Sequence, residues 1–263
     1  MAAPVPGEEV SRRAADLFSV GRHISVTNSM VAGWLLTIVV VLGIRWALGR
    51  RPNAVPSRSQ AAVELLVEKL QNLFEPIVGS RTLPRVFPFL LTLFIFLLAT
   101  NLSGLLPGVG SIGWERNGHF SAFLRPPSGD LNGTLALAMV SFGAWIYFVF
   151  RYAGPRHFLW DTFGNKADRR EVPVPVYLFL GAIFLAVGAV DLISILFRIV
   201  SLSFRLYGNV FGGENLIGRM TGLCGYLLPV PFYFLELLIG VIQALVFTLL
   251  TAVYVGLLTG KEE

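Results

Sequence analysis

Arg205 is the residue of this 263-residue chain for which a purely structural role is the poorest explanation. It lies within the apolar stretch 176–216, and no acidic residue stands three or four positions away to neutralise it within a helix. A charge at the centre of a lipid bilayer costs about 3 kcal/mol on insertion scales, so such charges usually mark an ion or substrate path. The guanidinium stays permanently charged, which suits a fixed electrostatic element and excludes a proton relay.

Further polar residues of the two long apolar stretches could share an ion path with this arginine: Asp191, Asn209, Glu214, Glu236 and Gln243. Carboxyl groups held inside a membrane protein commonly exchange protons along such paths. We expect no catalytic residue and no metal site among them. The residue types of this set therefore predict the transfer of ions and no catalysed reaction.

The spacing of these residues predicts how they meet. A turn near Cys224 places Arg205 and Gln243 at a similar depth on the two arms of a hairpin. Counting from the same turn pairs Glu214, ten residues before it, with Glu236, twelve residues after it. Asn209 follows the arginine by one helical turn, and Asp191 lies toward the opposite end of the first arm. The result is a polar seam with acidic groups on both sides of a fixed positive charge.

The elements that position this seam are membrane helices. The chain is 54% hydrophobic and only 14% charged, against about 25% charged residues in an ordinary soluble domain. Each of several apolar runs is about long enough to cross the ~30 Å hydrocarbon core as a helix. The predicted spans are 28–49, 86–107, 133–150, 176–216 and 222–259. We predict an all-α integral membrane protein with five membrane-crossing helices, the last two forming a long tilted hairpin.

One amphipathic surface helix is predicted at 58–76, where apolar residues recur at helical spacing between charged ones. Ser57 and Gln60 fit a capping box at its start, and Pro76 marks its end. Such a helix lies along the membrane surface, against a partner, or on the protein's own loops. The spans and this helix form a single membrane domain, 27–259, between an extracytoplasmic segment, 1–26, and a cytoplasmic end, 260–263.

The basic residues predict the orientation of the chain. The first and third loops are rich in arginine and lysine, whereas the second holds only Arg116 and Arg125. The positive-inside rule therefore places the first and third loops in the cytoplasm, the N-terminus outside and the C-terminus inside. The basic residues of the two inner loops are Arg45, Arg50, Arg51, Arg58, Lys69, Arg81, Arg85, Arg151, Arg156, Lys166, Arg169 and Arg170.

Other classes of function fit the sequence less well. The net charge of +5 resides in loops and forms no basic stripe, so no nucleic acid is expected as a partner. The histidines, His23, His119 and His157, all fall in loops and offer no helical pair of haem ligands. A self-contained ion-coupled transporter stays open as the alternative, although the chain shows no internal repeat.

The segment 201–214, SLSFRLYGNVFGGE, strongly resembles the signature of subunit a of F-type ATP synthases. The segments 88–94, 101–107 and 243–247 resemble further landmarks of that family in the same order. The resemblance covers about residues 24 to 258. This chain differs from the family pattern at Arg198-Ile199, where many members have a basic residue followed by proline. It also differs at Glu236, where some members have histidine.

The resemblance implies a stator subunit with two offset half-channels that pass protons to and from a rotor ring of c subunits. Arg205 would be the essential electrostatic barrier facing that ring, and Asp191 falls where a glutamate commonly lies. The residues matching the polar path are Asn209, Glu214, Glu236 and Gln243. The expected partners are the c ring, the peripheral-stalk b subunits, the rest of the F1Fo complex and the lipid bilayer of a bacterial inner membrane. We expect no cofactor and no catalysis by this chain itself. Protons are favoured over Na⁺, although two carboxyls could also suit Na⁺.

Overall fold

The computed structural model is dominated by α-helices, as the hydropathy predicts. It describes residues 16–20, 24–49, 56–106, 113–116, 119–122, 126–152, 154–164, 173–224 and 227–259. The helices are α1 Asn28–Leu48, α2 Arg58–Val78, α3 Leu83–Ser103, α4 Leu131–Tyr152, α5 Pro155–Phe163, α6 Val174–Cys224 and α7 Pro229–Thr259. Five of them, α1, α3, α4, α6 and α7, are long and apolar enough to cross a membrane. The prediction of an all-α membrane protein is confirmed.

Two short antiparallel hairpins and α5 were not predicted. The first hairpin pairs β1 Asp16–Val20 with β2 Ile24–Thr27, and the second pairs β3 Gly113–Arg116 with β4 His119–Ala122. All three elements precede or connect the apolar spans. The strands of the two hairpins have only four or five residues and α5 has nine, which is too short for a recognisable hydrophobic periodicity in the sequence.

Several predictions fall outside the described residues. These are most of the segment 1–26, the end 260–263, and the basic loop residues Arg50, Arg51, Arg125, Lys166, Arg169 and Arg170. The side chains of Cys224, His119 and His157 are likewise outside the described part of the chain.

Helix α2 begins where its capping signal predicts. The Ser57 hydroxyl accepts a hydrogen bond from the Gln60 backbone N–H at 3.3 Å, and the Gln60 side chain donates to Glu64. Pro76 does not end the helix, because its missing N–H removes one hydrogen bond in a last turn that can still close. The end comes at Gly79, which takes a φ of 86° and whose N–H bonds the Glu75 carbonyl.

Helices α6 and α7 form a hairpin that packs against α3 and α4. Helix α6 has 51 residues without a break, which corresponds to about 76 Å at 1.5 Å per residue. A helix of that length fits a ~30 Å hydrocarbon core only when it lies strongly tilted. One long face of α6 is exposed, and its other face contacts the bundle.

The core lies between α2, α3, α4, α7 and the middle of α6. Its fully buried members include Leu90, Leu97, Val149, Leu206 and Phe247. Helix α1 contributes little to this core, and its apolar side chains are largely exposed. These exposed side chains suit a lipid environment, since apolar surface is not penalised there.

One end of the bundle, here called the Asp130 end, joins the starts of α1 and α4 to the end of α3. The buried Asp130 carboxylate accepts a hydrogen bond from the Ser29 hydroxyl at 3.0 Å and another from the Asn132 backbone N–H. Ser128 donates to the carbonyl of Thr100 across the same junction. These bonds hold α1 and α3 beside the segment that starts α4.

Candidate functional site: the polar seam of the long hairpin

Arg205 lies on the exposed face of α6, directed away from its own bundle. Its neighbours on that face, Ser201, Gly208 and Gly212, are exposed as well, and a methyl group added at either glycine would meet nothing within 4 Å. Among the described residues, no carboxylate forms an ion pair with the guanidinium. A permanently charged group in this setting is available to a partner outside the chain.

The opposite face of α6 explains why the arginine points outward. Leu202, Ser203, Leu206 and Val210 follow helical spacing and are buried against the bundle. Ser203 is completely buried, and its hydroxyl is hydrogen-bonded to that of Thr134 on α4 at 3.2 Å. The burial of this stripe fixes the rotation of α6 about its axis.

The structure joins the two arms of the hairpin through Asn209 and Gln243. The Asn209 Nδ2 group donates to the Gln243 Oε1 atom at 2.9 Å, and Gln243 is buried. The sequence count predicts Gln243 to lie level with Arg205, one turn earlier on α6. The difference arises because α6 continues to Cys224 and α7 begins only at Pro229, so the centre of the turn falls later than the count assumed.

Glu214 and Glu236 are brought together as the spacing predicted. Both are half-buried, and the charge of Glu214 acts directly on Glu236. The Glu236 carboxyl group lies against the backbone of α6 at Gly213, where an added Cβ would overlap all three of its terminal atoms. The buried glycine therefore makes room for an acidic side chain from the other arm.

Asn101 of α3 is a seam residue that the sequence reasoning did not include among the site residues. Its Nδ2 group donates to the Gly240 carbonyl at 3.1 Å, between Glu236 and Gln243 on α7. Its Oδ1 atom is buried without a hydrogen-bond partner among the described residues. A buried acceptor of this kind usually binds water, so the seam offers a polar group that favours hydration. Its signal in the sequence was an amide in an otherwise apolar span.

A cavity of about 590 Å³ opens at the Asp130 end, between α1, α3 and α4. Its polar lining includes Ser29, Thr100, Asp130 and Thr134, and its inner wall reaches Leu206, the residue after Arg205. Water occupies about 30 Å³ per molecule in the liquid, so the cavity has room for many molecules. Asp130, which the sequence reasoning also missed, is its buried carboxylate.

Asp191 stands apart from the other predicted residues. It is exposed on α6, fourteen positions before Arg205, or about 21 Å along the helix axis. The structure thus groups Asn209, Gln243, Glu214 and Glu236 on the Asp130 side of the arginine and leaves Asp191 on the other side.

Comparison with known proteins agrees with this architecture. Residues 30–256 match the family model of the ATP synthase A chain. The chain is 32% identical over 244 residues to ATP synthase subunit a of Moorella thermoacetica, covering 93% of this chain and 95% of that protein. It is 30% identical over 245 residues to ATP synthase subunit a 2 of Bradyrhizobium sp. (strain BTAi1), covering 93% and 94% of the two chains.

A further relative is named for the ion it is specific for. The ATP synthase subunit a of Propionigenium modestum, described as sodium ion specific, is 29% identical over 241 residues, which are 90% of this chain and 76% of that protein. The matched region contains the whole α6–α7 hairpin up to residue 256. The extent of the match and the polar seam agree, and the chain belongs to the ATP synthase subunit a family, whose members form the ion channel of the membrane sector.

Proposed function

We propose that this chain is the stator of a rotary ATP synthase and passes protons to and from a c ring through two offset half-channels. The observation that carries the proposal is the position of Arg205. It is exposed on the outward face of α6, while the polar residues around it turn toward the other arm of the hairpin. This separation suits a fixed charge that meets carboxylates of a second protein.

The charge on Arg205 is strong enough to bias such a carboxylate. At about 4 Å and an effective dielectric constant of about 20, the two groups attract by about 4 kcal/mol, which is roughly a thousandfold preference for the charged form. A ring carboxylate passing Arg205 would therefore release its proton there. The same positive charge repels protons and prevents direct flow between the two half-channels.

The first half-channel would run from the Asp130 end to the seam. The large cavity lined by Asp130 supplies volume for water, and the unpartnered Asn101 oxygen supplies a polar contact near Glu236. The Glu214 and Glu236 pair and the Asn209–Gln243 bond then lead toward the arginine. Each of these groups can accept or relay a hydrogen bond from water.

The second half-channel would open near Asp191. This carboxylate is exposed on α6 about 21 Å from Arg205, on the side away from the seam. The distribution of basic residues supports placing that end in the cytoplasm, because Arg58, Arg81 and Arg151 lie on the elements that meet there. The Asp130 end and the N-terminus would then face the outside.

The test is ATP-driven proton pumping by vesicles that contain the assembled complex. Arg205→Ala is expected to abolish coupled pumping, whereas Arg58→Ala, an exposed arginine on the surface helix α2, should pump like wild type. Normal coupled pumping by an assembled Arg205→Ala complex would overturn the proposal. Repeating ATP-driven pumping with and without Na⁺ in the medium separates the two ions. Pumping that requires Na⁺ would overturn the assignment to protons.

A further inference from the structure

A second arginine of α6, Arg198, faces the inside of the bundle. Its guanidinium carbon lies 3.2 Å from the centre of the Tyr254 ring of α7, and the side chain is half-buried. No carboxylate in the described part of the chain forms an ion pair with it. A guanidinium stacked on an aromatic face is held in place without losing its charge.

Arg198 lines a small cavity of about 30 Å³ between α4, α6 and α7. The hydroxyl-bearing residues Ser141 and Thr251 lie in the same wall, and the volume corresponds to about one water molecule. The Trp145 indole N–H donates to the Tyr254 carbonyl at 3.0 Å, which fixes the backbone that carries the stacked ring. The cavity is therefore small and lined mostly by apolar groups, with two hydroxyl-bearing residues and a fixed positive charge in its wall.

The small cavity lies beside the large one along α4 and α6. On α4, the large cavity is lined as far as Leu137 and Val140, and the small one by Ala138 and Ser141. On α6, Leu206 lines the large cavity and Leu202, one turn away, lines the small one. The partition between them contains the hydrogen-bonded hydroxyls of Thr134 and Ser203.

Two neighbouring cavities could allow a proton leak in an ion channel whose transport must pass through a rotor. Hydroxyl groups and single waters can pass protons, so thermal opening of the partition would join the large cavity to the small one without involving the ring. Arg205 cannot prevent this leak, because it lies on the exposed face of α6.

We propose that Arg198 is a second electrostatic barrier, which closes this internal route to protons. The inference rests on the proposed function, since a leak matters only where transport is coupled to a ring. A positive charge at a narrow, water-sized passage repels protons. Tyr254 acts as a positioning residue that keeps the guanidinium at the cavity wall.

The experiment measures passive proton flow into vesicles that contain the complete assembled complex, driven by a potassium diffusion potential. Dicyclohexylcarbodiimide, which modifies membrane-embedded carboxyl groups, stops flow that passes through the ring. The remaining flow reports the internal route. Arg198→Met removes the charge and keeps much of the stem, and Arg198→Lys keeps a positive charge. Assembly is checked by co-purification of the other subunits.

We expect the carbodiimide-resistant flow of Arg198→Met to exceed that of wild type at least tenfold, with Arg198→Lys at the wild-type level. An assembled Arg198→Met complex as tight as wild type would overturn the inference, and so would an equal leak through Arg198→Lys. If Arg198→Met does not assemble, Arg198→Gln takes its place with the same expected leak. A wild-type complex without carbodiimide-sensitive flow would contradict the proposed function instead, so the two failures are distinguishable.

Discussion

Gly213→Ala is the substitution that most directly tests how the hairpin places Glu236. The new methyl group would occupy the position now held by the Glu236 carboxyl group. The obstructing atoms are the far end of a flexible side chain, so the carboxyl group can move while both helix backbones stay in place. The substitution therefore displaces one acidic group and leaves the hairpin assembled.

The size of the effect follows from the overlap. To restore an ordinary contact near 3.5 Å, the Glu236 carboxyl must retreat by about 1.4 Å, at a rotamer cost of about 0.5–1.5 kcal/mol. Alanine in a helix is more favourable than glycine by roughly 0.5–1 kcal/mol, which offsets much of that cost. Stability should change little. A misplacement of about 1 Å in a functional group can reduce a rate by roughly a hundredfold, so we expect proton flow to fall between tenfold and a hundredfold.

Gly218→Ala is the matched control for this substitution. Gly218 lies five residues further along α6, is exposed, and has nothing within 4 Å of an added methyl group. It gains the same helix propensity as Gly213→Ala without touching a carboxyl group. Any difference between the two variants therefore reports the displacement of Glu236.

The assay is passive proton flow through the complete complex in vesicles, together with the thermal unfolding midpoint of the purified complex. Glu236→Gln, which keeps the shape and removes the acid, provides the reference for loss of this group. The reasoning is refuted if Gly213→Ala conducts like Gly218→Ala while Glu236→Gln is slow. It is also refuted if Gly213→Ala prevents assembly, because only the side chain is expected to move.

Two further predictions concern contacts elsewhere in the bundle. Gly256→Ala should lower the unfolding midpoint and destabilise the protein by about 1–3 kcal/mol, because the new methyl group would overlap the backbone carbonyl of Ile77, which cannot rotate away. Gly143→Ala is the control, since an added methyl group there meets open space. Equal unfolding midpoints for the two variants would contradict this account. Asn209→Leu or Gln243→Leu alone leaves the amide of the other residue unpaired at a partly buried contact. Each single substitution should therefore destabilise the purified complex more than the double substitution does, which a double-mutant cycle of unfolding midpoints checks and simply additive effects would contradict.

The fold could be predicted from the sequence because membrane spans depend on length and hydropathy alone. Every predicted span corresponds to an apolar helix, although α3 begins at Leu83 and ends at Ser103, a few residues before the predicted bounds. Helix ends are set by local contacts and single glycines, as at Gly79, and hydropathy does not record these. The short helix α5 and the two hairpins depend on a handful of backbone bonds and leave no period in the sequence.

The candidate site could be predicted only in part. A charged or amide side chain in an apolar helix is visible in the sequence, so Arg205, Asn209 and Gln243 were found. Their partners were less certain, because a change of a few residues at the turn can move a pairing across the hairpin by a helical turn, as it does for Gln243. Asn101 joins the seam through a bond to a residue 139 positions away, and no local pattern indicates such a contact.

The two arginines of α6 show why a helical period cannot assign a role by itself. Arg198 and Arg205 are seven residues apart, so their Cα atoms lie on nearly the same side of the helix. Their long side chains nevertheless point to different surroundings, because Tyr254 holds the guanidinium of Arg198 against the bundle, whereas Arg205 remains exposed. A fixed charge on the exposed face can act on a passing rotor carboxylate, and one inside the bundle can act only on protons that avoid the rotor. Loss of Arg205 should therefore abolish coupled transport, while loss of Arg198 should leave the coupled path intact and add a leak beside it.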